Sequence, residues 1–320
     1  MHPYILKKAV ILAANILAVY FCKAQDIPAN QLILPGANHK IPFTWAQDHA
    51  RGTLNQHAAM LIPVKLKNCP RQFFMQFDTG SPYSLFYRNK LKSIEQRYPQ
   101  AIRLTDTTAM LPQFRFTAGS TEIFAKEIAV QYFDSTGINW NQDTVEIIGT
   151  LGTDLIDNKT VLINYPEKYL SIRSAIVEDD HLQWSDFVYA GRSILLPVSV
   201  KEKSTLAYFD TGSSAFELLT DKETALLLSS SGTAATISEV QSWGKILKAV
   251  TIQTKDTIAI ASQKILLRTA TYMEGVSEEQ VNAMKRLGIG GMVGNGLFLN
   301  RVLIIDIPNK RYCITGNTVK

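Results

Sequence analysis

The chain has 320 residues, 46% of them hydrophobic and 19% charged, with a formal net charge of +5. That composition excludes a disordered or collagen-like polymer and is enough for more than one core. No run of Lys and Arg with interleaved aromatics marks a nucleic-acid surface, so nucleic acid is not an expected partner.

The first 24 residues have the three-part layout of a secretory signal peptide. Lys7 and Lys8 precede a mostly apolar run over 9–21, and Cys22-Lys23-Ala24 offers small residues before a cut at Gln25. The run is too short to span a bilayer comfortably, and bulky Tyr20 and Phe21 before Cys22 argue against a lipid anchor. A secreted or periplasmic protein is expected, with a membrane anchor as the lesser alternative. Removing 1–24 takes Lys7, Lys8 and Lys23 and lowers the charge from +5 to +2, so the basicity is partly the targeting segment. Residues 25–57, with scattered Pro and Gly, read as an N-terminal arm that packs late or stays mobile.

From residue 58 the pattern turns to short β-type runs. Residues 60–66 and 73–77 read as strands joined by a polar turn, and the second ends at Phe77-Asp78-Thr79-Gly80-Ser81. Residues 88–98 read as a short polar helix and 114–121 as strand, turn, strand. Gly149-Thr150-Leu151-Gly152 and an apolar run over 161–165 complete a first lobe over 58–172. Residues 173–192, with acidic Glu178-Asp179-Asp180, suit an interlobe linker.

The second lobe, 193–320, repeats this order. Strands over 194–200 and 205–209 lead to Phe209-Asp210-Thr211-Gly212-Ser213, and Gly291-Met292-Val293-Gly294 precedes an apolar run over 303–307. Thr220 and Glu223 have capping-box spacing for a helix through Leu228, and Ser277 and Gln280 for another ending near Leu287-Gly288. Residues 240–270 alternate as β sequence, with a bend at Trp243-Gly244. The offset between copies is 132 at the aspartates (78, 210) and 142 at the glycines (152, 294), which places an insertion between 211 and 291. The fold class expected is all-β: a pseudo-twofold duplication of β lobes with a few short helices.

Two D-T-G-S segments and two G-x-[LV]-G segments, in order, resemble the aspartic protease family, pepsin-like or retropepsin-like, over roughly residues 58–316. The resemblance implies an endopeptidase in which Asp78 and Asp210 share a proton and activate one water. It implies that Thr79 and Thr211 bond across the lobe interface and that Ser81 and Ser213 stand beside the carboxylates. Gly152 and Gly294 would pass beneath the catalytic loops, with Thr150 an irregularity. Gly80 and Gly212 would let backbone N–H groups approach the carboxyls. The candidate for a substrate-covering flap is 114–121, where Phe116 stands either near the position at which pepsin-like enzymes place a tyrosine or as an ordinary strand aromatic. An extended peptide or protein is the implied partner, bound to a monomer without cofactor or metal.

Other readings are weaker. Residues 288–294 are glycine-rich, but they follow a helix and miss the dinucleotide fingerprint at Val293. His2, His39, His49, His57 and His181 show no metal-binding spacing, and no serine sits in a G-x-S-x-G elbow. A catalytically silent module that binds or inhibits through the same fold is the alternative from another class, and an arm that occupies the cleft and is self-processed is a third. Cys69 and Cys313 are permitted one disulfide in an oxidising compartment or stand as small apolar residues.

Overall fold

The computed structural model describes residues 5–6, 30–36, 38–50, 53–133, 136–141, 144–173, 182–230, 234–242 and 245–316. The expected signal peptide, apart from Ile5–Leu6, lies outside the described residues, as do the acidic residues 178–180 and the bend at 243–244.

Strands dominate, as short β-branched and aromatic runs broken by polar turns require. The described α-helices are Arg88–Arg97, Lys222–Leu227 and Glu278–Arg286. The strands form two large sheets, one per lobe, of nine and ten strands, and a six-stranded sheet drawn from both halves. In that third sheet Thr160–Asn164 of the first half pairs antiparallel with Val302–Asp306 of the second. The architecture is therefore all-β and two-lobed.

The duplication is visible in the register. In lobe one, Phe73–Phe77 pairs parallel with Ile147–Leu151, whose other edge takes Leu85–Tyr87 antiparallel. In lobe two, Lys203–Phe209 pairs parallel with Ile289–Val293, whose other edge takes Leu218–Thr220 antiparallel. Even the irregularity repeats: the register slips between Ile147 and Gly149 in one copy and between Ile289 and Gly291 in the other.

The insertion expected in the second half is a hairpin. Leu85 and Met110 share a level of the lobe-one sheet through Ala129, and Leu218 and Ile252 do so through Ala270 in lobe two. Those spans are 25 and 34 residues, and the excess falls where Thr236–Ser242 pairs with Lys245–Gln253. Val240 and Ala249 of this hairpin pack on Phe216, six residues beyond Asp210.

Two expectations change, and one open choice is decided. The stretch read as a late-packing or mobile arm contributes Asn38–Pro42 to the six-stranded sheet and Thr44–Ala50 to lobe one. Phe43 packs edge-on to Tyr165 at 6.4 Å, Tyr165 stacks on Phe298 at 6.1 Å, and Phe298 meets Phe209 at 5.7 Å. This aromatic column, buried at Phe43, Tyr165, Phe298 and Phe209, ties the arm to both lobes. The first lobe-two helix is capped by Asp221, whose carboxylate accepts from Thr224 N, while Thr220 closes a strand and donates its hydroxyl to Gly290 O. Cys69 and Cys313 are both free and buried, so the apolar reading describes them. Burial pushes the Cys313 thiol up to about 12.

Candidate active site

Each lobe delivers its D-T-G-S segment at the end of a central strand. Asp78 N donates to Leu151 O at 2.9 Å and Asp210 N to Val293 O at 3.0 Å, so the parallel neighbour strand continues into the loop. Beneath the loops run Gly152 and Gly294. A Cβ on Gly152 would stand 2.6 Å from Ser81 O, and one on Gly294 only 2.1 Å from Ser213 O. No side chain fits at those approaches, which accounts for glycine at both positions.

The two loops interlock. Thr79 N donates to Thr211 Oγ1 at 2.9 Å and Thr211 N to Thr79 Oγ1 at 3.0 Å. Each hydroxyl then donates across the interface, Thr79 Oγ1 to Phe209 O at 2.8 Å and Thr211 Oγ1 to Phe77 O at 2.9 Å. A hydroxyl carries one donor and accepting lone pairs, so each threonine uses both functions within the motif.

This lock sets the aspartates against each other. Both are fully buried, and their carboxyls lie within hydrogen-bonding reach. A Cβ on Gly80 would fall 2.7 Å from Asp210 Oδ1, and one on Gly212 would fall 2.5 Å from Asp78 Oδ1. Gly80 N donates to Asp78 Oδ1 at 2.9 Å and Gly212 N to Asp210 Oδ1 at 2.8 Å. Burial, and then the Asp210 charge, hold the Asp78 carboxyl well above the usual carboxylate range. Burial raises Asp210 too, opposed by hydrogen bonds from Ser213 and Gly212. The pair titrates as a unit.

The serines break the symmetry. Ser213 Oγ donates to Asp210 Oδ2 at 2.8 Å, as expected. Ser81 Oγ instead turns away and donates to Tyr83 O at 2.8 Å. Among the described residues no donor meets Asp78 Oδ2.

Phe116 is placed elsewhere. It is 2% exposed, three residues before the hairpin turn, and packs edge-on to Phe86 at 5.5 Å. The turn itself is seated between two sheets: Gly119 N donates to Pro63 O of the lobe-one sheet at 2.8 Å, and a Cβ on Gly119 would meet Pro42 Cδ of the six-stranded sheet at 2.7 Å. Phe116 is a core side chain of lobe one because alternation points it inward, with Ala118 and Ile123.

Four supporting groups escaped the sequence reading. Thr153 Oγ1 donates to Thr79 O at 2.8 Å, and Asn295 Nδ2 donates to Thr211 O at 3.0 Å. These residues are related by the same offset as Gly152 and Gly294, so the repeat carried the signal. Asp154 accepts from Ser84 N and Ser84 Oγ at 3.0 and 2.7 Å, and Ser84 Oγ accepts from Gly152 N at 2.9 Å. The irregular Thr150 meets the Tyr87 hydroxyl at 2.8 Å, a buried pair that makes a polar residue useful beneath the first loop. Among the described residues no group of three or more His, Cys, Asp or Glu side chains could hold a metal ion, and no helix is long and apolar enough to cross a membrane.

Neither a family model nor a curated protein matches the chain. Among solved structures it is similar to the aspartic proteinase from Irpex lacteus, at 12% identity and a TM-score of 0.48. That match covers 88% of this chain and 99% of the other.

Proposed function

We propose that the chain is an aspartic-type endopeptidase acting through Asp78 and Asp210. The observation that carries this reading is the threonine lock, which brings two carboxyls from separate lobes into one buried pair. Such a pair holds a base and an acid side by side at one pH. One carboxylate takes a proton from water as the water oxygen attacks the peptide carbonyl carbon, and the protonated partner gives its proton to the carbonyl oxygen. The substrate is an extended peptide or protein segment, held by strand-like main-chain hydrogen bonds and cleaved without a metal or cofactor. The enzyme works as a monomer outside the cytoplasm, after removal of residues 1–24.

Incubation with a diverse peptide mixture across acid to neutral pH tests this, with new termini read by mass spectrometry. Cleavage by the wild type and none by Asp78→Asn supports it. No cleavage at any pH contradicts it. A second reading, a protease-like module that holds peptide without turnover, draws on the complete enclosure of both carboxyls. Peptide binding without new termini would favour that reading.

A further inference from the structure

The two D-T-G-S segments are identical in sequence, yet their carboxylates receive different donors. Asp210 Oδ1 accepts from Gly212 N at 2.8 Å and from Ser213 N at 3.3 Å, and Asp210 Oδ2 accepts from Ser213 Oγ at 2.8 Å. Asp78 takes the matching backbone bonds, Gly80 N at 2.9 Å and Ser81 N, so the difference lies in the hydroxyl: that of Ser81 is committed to Tyr83 O. The commitment is built in, because Tyr83 O stands against Gly152, where a Cβ would approach it to 2.7 Å. Donated hydrogen bonds stabilise the ionised form of a carboxyl, and those to a charged acceptor are the strong ones.

We propose that Ser213 is a positioning residue that polarises the pair, holding the resting proton on Asp78 and leaving Asp210 as the ionised carboxylate. The buried Asp78 Oδ2, which meets no donor among the described residues, is the natural seat of that proton. Charged groups on the elements packed around the pair are engaged elsewhere. Asp154 accepts from Ser84, Glu217 accepts from Arg268, and His57 stands edge-on to Trp45 with Lys168 and Arg268 as its charged neighbours. Burial raises both carboxyls; the Asp210 charge raises Asp78 further, while hydrogen bonds from Ser213 and Gly212 oppose the rise at Asp210.

The chemical consequence rests on the peptidase reading above. In the attack step Asp210 takes a proton from water, the water oxygen bonds to the carbonyl carbon, and the Asp78 proton passes to the carbonyl oxygen, giving a neutral gem-diol. In the second step Asp210 returns its proton to the amide nitrogen. The C–N bond breaks with its electron pair leaving on nitrogen, and Asp78 recovers a proton from one gem-diol hydroxyl. A carboxylic acid and an amine leave, and the pair is restored.

The location of the proton is testable without turnover. The full chain labelled with carboxyl-13C aspartate is titrated by NMR, and the Asp78 and Asp210 signals are assigned by their loss in Asp78→Asn and Asp210→Asn. Should those variants fail to fold, the signal displaced in Ser213→Ala identifies Asp210. As pH rises, the Asp210 carboxyl ionises first while Asp78 stays protonated into the second step. Ser213→Ala moves the first step up by about one pH unit, the size expected from losing one hydrogen bond to a charged group, and Ser81→Ala moves neither step. Ionisation of Asp78 first, or an equal shift in Ser81→Ala, overturns the proposal. Peptide cleavage is assayed on the same samples. An asymmetric titration without cleavage removes the peptidase reading and keeps the proton on Asp78, and cleavage with Asp78 ionising first does the reverse.

Discussion

Thr79 and Thr211 each donate a backbone N–H to the other's hydroxyl, at 2.9 and 3.0 Å, across a sequence separation of 132 residues. Both hydroxyls then donate to backbone carbonyls of the opposite lobe, Phe209 O and Phe77 O. The two loops are therefore one hydrogen-bonded unit, and neither carboxyl is positioned by its own lobe alone.

Replacing either threonine by valine keeps the shape and removes a buried donor and acceptor. Each of Thr79→Val and Thr211→Val should cost about 1–3 kcal/mol in urea unfolding. Because the four bonds share partners, the double variant should lose less than the two single losses added together.

The glycines beneath the loops should be among the least replaceable positions. Gly152→Ala and Gly294→Ala force a Cβ against Ser81 O and Ser213 O, and should destabilise by about 2 kcal/mol or more while lowering activity. Gly316→Ala, where a Cβ meets nothing within 4 Å, should leave the melting temperature unchanged.

The pair should also shape stability against pH. Both folded-state carboxyls are raised above the ordinary value of 3.8, so the folded state holds its proton more tightly than the unfolded chain does. That contribution is full below pH 3.8 and is lost as pH rises through the folded-state values. Asp78→Asn removes the enclosed like charge, and should raise the melting temperature at pH 7 and flatten its fall between pH 4 and pH 7. A melting temperature that drops at neutral pH would show that burial is compensated by contacts Asn cannot make.

Phe116 separates a core role from a substrate-covering one. Phe116→Ala should cost about 3–5 kcal/mol, as for other buried aromatics. Phe116→Leu should leave KM for peptides unchanged, whereas a substrate-touching tip would show the opposite pattern.

Much of this arrangement was legible because the chain states it twice. The aspartates, threonines and glycines recur in order, and the resemblance those repeated motifs carry was what led to the expectation that they come together. Thr153 and Asn295 perform the same task with different chemistries, so comparing residue types hid what comparing positions would have shown. The different fates of Ser81 and Ser213 were not readable, because identical tetrapeptides face different surroundings: Tyr83 O is within reach of one hydroxyl and a carboxylate of the other. Phe116 misled because a strand-turn-strand pattern shows where the chain reverses and not which surface the turn rests on. The strand Asn38–Pro42 was obscured because its partner, Tyr169–Arg173, lies more than 100 residues away.

The central claim is that Asp78 and Asp210 act together on one peptide bond. The most direct measurement compares the purified full chain with Asp78→Asn and Asp210→Asn on a diverse peptide mixture, reading new termini across pH 3 to 8. The account predicts cleavage by the wild type and none by either variant, with all three proteins folded. Cleavage that survives either substitution would contradict it.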